Sequence, residues 1–135
     1  MKTLKKMYNL SYDSSGFNSG LINWYNQVID KTYSGLTVTD VCRMIRQDIL
    51  KDIAIKKAIE FFLNDPYDGE YSDGGLLEIL NSLDIYSQGV PDIDNLKTTL
   101  NYVKHDYINF EWSDEETKRQ YAKNIGKMLK NLENT

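Results

Sequence analysis

The sequence predicts an all-α fold, a single-domain bundle of five or six helices with an irregular N-terminal arm, and three observations carry that expectation. Apolar residues recur at i, i+3, i+4 and i+7 through most of the chain, as they do in helices with one buried face. Capping and breaking residues fall at the ends of those runs. No alternating run of five or more residues marks a strand; Lys104 to Trp112, where YINFEW has strand-forming residue types, is a weak exception and reads as a helix end and a loop. With 135 residues, 41% hydrophobic and 27% charged, the chain has room for one core, and residues 1–135 read as one helical domain with residues 1–17 as the arm.

Each helix has its own signals. Ser19 or Asn18 can cap a helix from about Leu21 to Tyr33, with Leu21, Trp24, Tyr25, Val28 and Ile29 as its stripe and Gly35 as its end. Thr39 or Asp40 can cap the next, in which Val41, Met44, Ile45, Ile49 and Ile53 keep the helical period. The apolar phase then shifts by about two residues before Ile55, Ala58, Ile59, Phe62 and Leu63, which predicts a break near Lys51 or a helix buried on two sides. Asp65-Pro66 stops that helix, because the residue before proline is pushed out of the helical region.

YDGEYSDGG, residues 67–75, is a loop by composition. Leu76, Leu77, Ile79, Leu80 and Leu83 make a short apolar helix, for which Asp73 can serve as N-cap. After a second loop around Ser87 to Pro91, Asp92 caps a helix with Ile93, Leu96, Leu100, Val103 and Tyr107 on one face. The last helix opens on Ser113-Asp114-Glu115-Glu116, an S-x-x-E capping box worth about 1 kcal/mol, and Tyr121, Ile125, Met128, Leu129 and Leu132 form its apolar face.

Charge is segregated along the chain. The formal net charge is −4, yet from Ala58 to Leu96 there is no Lys or Arg, while Glu60, Asp65, Asp68, Glu70, Asp73, Glu78, Asp84, Asp92 and Asp94 are all acidic. The other 96 residues hold sixteen basic and eleven acidic side chains, a net +5. Such asymmetry is the footprint of a charged partner, although acidic loops and helix N-termini also serve solubility and the helix dipole.

Several function classes are excluded on residue chemistry. One cysteine, Cys42, allows neither an intramolecular disulfide nor a zinc cluster and fits a cytoplasmic protein. No apolar run is long enough to span or target to a membrane. Cys42 lies on an apolar stripe and reads as a core residue, and His105, the one histidine, reads as a helix-end surface residue; neither sits in a nucleophile setting, so no enzyme is expected. Glycine-loop phosphate motifs are absent, and the EF-hand register fails at Pro66 and Tyr67, so no cofactor, metal or small-molecule substrate is expected. The acidic middle argues against nucleic acid.

Protein binding remains. The acidic segment interleaves tyrosines with its carboxylates, and ten tyrosines is a high count for this length. Tyrosine supplies rigid contact area and carboxylates steer a basic partner, as a nuclease inhibitor requires when its carboxylates stand where phosphates would bind. The expected partner-binding residues are Tyr67, Asp68, Glu70, Tyr71, Asp84, Tyr86 and Asp92.

Residues 40 to 130 resemble the bacterial contact-dependent growth inhibition (CDI) immunity proteins. The resemblance rests on the IRQ-type helix at Met44 to Gln47, the apolar helix with its D-P turn at Ala58 to Pro66, the acidic loop at Tyr67 to Gly75 and the L-L helix at Leu76 to Leu80. A terminal W-x-D-E-x-K pattern matches at Trp112, Asp114, Glu115 and Lys118. It implies a non-enzymatic immunity protein that binds one cognate toxin, the C-terminal domain of a CDI effector and often a nuclease, and blocks its active site or substrate path. With the charge pattern, the leading expectation is a one-to-one complex with a basic nuclease of ribonuclease type. The alternative is a helical adaptor or regulator with no toxin partner; a small hydrolase using His105 is a weaker third. The resemblance also tempers the charge argument, because a loop shared by proteins that neutralise different toxins can be architecture.

Overall fold

The computed structural model describes residues 1–15, 19–83 and 92–133. Among them are seven α-helices: α1 (Leu4–Met7), α2 (Gly20–Val28), α3 (Val38–Arg46), α4 (Lys51–Asn64), α5 (Gly75–Asn81), α6 (Ile93–Asp106) and α7 (Glu115–Glu133). Single 3₁₀ turns lie at Tyr33–Gly35 and Tyr107–Asn109. The fold is all-α, and the helix beyond the expected count is the four-residue α1 in the N-terminal arm. Leu4 of α1 is fully buried, and Leu4 N and Lys5 N donate to Lys31 O and Ile29 O, which ties this turn to the end of α2.

The α3–α4 junction explains the phase shift in the apolar pattern. Asp48 and Leu50 both take positive φ, 56° and 46°, so the chain turns between Arg46 and Lys51 and the two stripes face one core from separate helices. Helices α3 and α4 form one packed pair and α6 and α7 another, with α5 packed against α3, α4 and α7. Phe62, Met44, Leu76, Leu77, Leu96, Leu100, Tyr121 and Met128 fill the space between them.

Three expected boundaries move, each for a local reason. Helix α2 ends at Val28 rather than near Tyr33; of its stripe Val28 and Ile29 are fully buried, Trp24 and Tyr25 pack half-buried against the core, and Leu21 is 40% exposed. The cap of α3 is Thr37, not Thr39 or Asp40: Thr37 Oγ1 accepts from Asp40 N and Asp40 Oδ2 accepts from Thr37 N, a reciprocal box. Asp40 also pairs with Lys31 at 2.7 Å. Burial alone would raise its carboxyl, but the Lys31 and Thr37 bonds prevail and hold it below the usual range. At α7 the side chain that accepts from Thr117 N is Asp114, at 2.7 Å, one residue later than the expected Ser113 cap.

Candidate functional site

The 65–75 loop is held closed by its own polar groups. Asp65 Oδ1 accepts from Tyr67 N, Tyr67 O from Gly74 N at 2.7 Å, and Asp68 O from Leu76 N at 3.1 Å, so the two arms are stitched across the base. Two glycines are required by that closure. A Cβ on Gly69 would run into Ser72 O and approach Gly75 N to 2.7 Å, and Gly74 has φ +76° and a Cβ there would run into the Tyr121 ring. Gly74, not Asp73, occupies the N-cap position of α5.

The structure distributes the expected partner-binding residues unevenly. Tyr67 points inward: its hydroxyl donates to Asp106 Oδ2 at 2.6 Å and its ring stacks on Phe110 at 4.3 Å, beside Trp112 and Tyr121. Burial first, and then Asp106, push this hydroxyl above the ordinary tyrosine range. Glu70 forms a two-pronged ion pair with Arg46, Nη2 to Oε2 at 3.2 Å, and its side chain is only 6% exposed. Half-buried Asp68 accepts from Gly69 N at 2.8 Å. Tyr71 stands out at 86% exposure, with the Arg46 guanidinium 5.5 Å from its ring centre. Asp92 is exposed at the start of α6 with φ 53° and makes no side-chain cap. Asp84 and Tyr86 lie outside the described residues.

Carboxylates that sequence reasoning did not single out for binding converge beside Tyr71. Asp73 from the loop, Glu78 from the first turn of α5 and Glu116 from the first turn of α7 line a hollow of about 190 Å³, floored by Tyr121 and Asn124. Glu78 also borders a neighbouring hollow of about 240 Å³ that includes Tyr71 and Arg46. Glu116 is open to solvent and its ion pair with Arg119, at 3.4 Å, is an exposed one of little energetic weight. The signal that could have found this cluster is the displaced cap: once Asp114 caps α7, Glu116 is not held back in a capping box.

The arrangement offers charge and contact area. Cys42 is fully buried and burial pushes its thiol up to about 11, so it is not poised as a nucleophile. His105 is exposed, while the neighbouring Asp106 carboxylate is engaged by Tyr67. Among the described residues no three His, Cys, Asp or Glu side chains are placed to hold a metal ion, and no helix is long and apolar enough to cross a membrane.

A family model described as CDI immunity proteins matches residues 6–88, more than half of the chain. The match begins earlier than the sequence resemblance and stops before α6, so the W-x-D-E-x-K segment lies outside it. No curated protein matches the chain.

Proposed function

Since the chain belongs to the CDI immunity proteins, a family that implies binding and neutralising a cognate toxin, we propose that its toxin is a basic nuclease domain of ribonuclease type, held one-to-one with the nuclease active site occluded. The observation that carries this reading is the acidic hollow of Asp73, Glu78 and Glu116 next to the exposed ring of Tyr71. Carboxylates without a buried counter-ion present to a basic cleft the charge that a phosphate backbone would present, and an exposed tyrosine adds a rigid anchor. In this reading Tyr71, Asp68 and Asp92 stay in contact with the partner, together with Asp84 and Tyr86. Tyr67 and Glu70 act by shaping the loop that carries the others. Binding by occlusion needs no catalytic group, and the cytoplasm, where a nuclease toxin meets its substrate, is the place of action.

The test is association with the toxin domain encoded beside this gene, measured at low and high salt. Glu78→Lys combined with Glu116→Lys is expected to slow association about tenfold or more at low salt, with the difference shrinking as the Debye length falls below roughly 10 Å. Tyr71→Ala is expected to speed dissociation. Unchanged kinetics in both variants would overturn the acidic-hollow reading, and a toxin domain without nuclease activity would overturn the partner class.

A further inference from the structure

On the other side of α7 lies an open groove of about 550 Å³ between α6 and α7. Its rim is basic: Lys97 and Lys104 on α6 and Lys130 on α7 face it, with Glu133 as the single carboxylate. None of the three lysines is in an ion pair among the described residues. Its floor is apolar, formed by Ile125, Gly126 and Leu129 of α7. No α7 residue lines both this groove and the acidic hollow.

We infer that this groove is a docking site for an acidic, amphipathic helix of a partner protein. Charge complementarity selects the sign: three lysines with no ion pair among the described residues, beside one carboxylate, attract carboxylates. Shape selects the form. The lining residues recur one turn apart on both helices, and from Ala122 to Glu133 the α7 wall runs about 16 Å. A third helix laid along them would place its apolar stripe on Ile125 and Leu129 and its acidic flanks against the lysines.

Gly126 supplies an independent observation. It sits in the middle of a nineteen-residue helix, where glycine costs stability relative to alanine. A Cβ there would meet nothing within 4 Å, so packing within the described chain does not demand glycine. A glycine that the fold does not need, at the floor of an open groove, lets another backbone approach closely. This inference is independent of the acidic hollow and of the identity of the toxin.

The experiment pans the full-length protein against a displayed library of amphipathic helices about four turns long, with acidic, neutral and basic flanks. Acidic helices are expected to be enriched, and their binding should weaken about tenfold for Lys104→Glu with Lys130→Glu, and for Gly126→Leu, which fills the floor. Glu78→Lys, on the other side, should leave it unchanged. The inference is overturned if enrichment favours basic or neutral helices, or if the groove variants bind as tightly as the parent. Displacement of a selected helix by inorganic tripolyphosphate alone would make the groove a point-charge anion site and overturn the helical part. A concentration-dependent dimer abolished by Lys104→Glu would assign the groove to a second copy and overturn the separate partner.

Discussion

The 65–75 loop and the α6–α7 groove exchange the roles that composition suggests for them. The loop is rich in carboxylates, glycine and tyrosine and reads as a recognition surface, yet much of its polar chemistry is turned inward, on Arg46, Asp106 and its own backbone. Three lysines of α6 and α7, by contrast, border an open cleft with an apolar floor, and none of them is in an ion pair among the described residues. Charge counted along a sequence measures what is present; availability depends on what the fold has already paired.

Gly74 gives the sharpest test of the loop's architectural side. Gly74→Val adds a β-branched side chain at φ +76° and drives it into the buried Tyr121 ring. Left-handed strain and overpacking together should cost about 3 kcal/mol, read as a lower urea midpoint at unchanged slope. A loss within experimental error would mean that the loop is not fixed against α7.

Arg46→Ala comes next. It strands the Glu70 carboxylate, whose side chain is 6% exposed, while Arg46 itself is 38% exposed, so solvent screens part of the penalty. A cost of about 2 kcal/mol is expected, below that of breaking a fully buried pair. The matching changes in the groove, Lys104→Ala and Lys130→Ala, should stay within about 0.5 kcal/mol because neither lysine has an ion partner among the described residues. Equal costs in the two regions would erase the distinction between paired and available charge.

Much of the fold was legible in the sequence because period and punctuation agreed. The Asp65-Pro66 stop and the core faces of α6 and α7 follow from local chemistry, and Ser19 as cap and the break near Lys51 are each one of two alternatives that it left open. The caps of α3 and α7 were displaced because Thr37 and Asp114 compete with equally plausible neighbours, and only tertiary contacts such as Lys31 with Asp40 decide between them. The candidate site was less legible. Arg46 and Glu70 lie 24 residues apart and Tyr67 and Asp106 lie 39 apart, and nothing local to either member announces the pairing. The hollow draws its carboxylates from three elements for the same reason.

Tyr67→Phe separates the loop's hydrogen bond from its aromatic packing. Losing the bond to Asp106 should cost about 1 kcal/mol near neutral pH, with the stack on Phe110 retained. The pH dependence has a defined sign. Burial and Asp106 raise the hydroxyl's folded pKa above 10.0, so the unfolded chain ionises first and stability falls as pH rises beyond about 10. Tyr121, raised by burial, contributes in the same direction. The variant should therefore show a shallower alkaline loss than the parent in urea midpoints measured across that range; an identical slope would place the Tyr67 hydroxyl in solvent.

Gly126→Ala is expected to act with the opposite sign. In the middle of α7 with nothing within 4 Å of the added carbon, alanine removes the backbone-entropy cost of glycine without a clash. Stability should rise by up to about 1 kcal/mol, whereas Gly74→Ala must destabilise, because Gly74 combines positive φ with a ring in the way. Two glycines on or against the same helix thus answer the same substitution with opposite signs. The loop glycine is required by the fold itself. The groove glycine lowers stability where the fold does not ask for it, which is the pattern of a residue kept for something that enters the groove. A destabilised Gly126→Ala would show that the space beside Gly126 is already filled by the protein's own chain, and the groove would then lose its glycine argument while keeping its lysines.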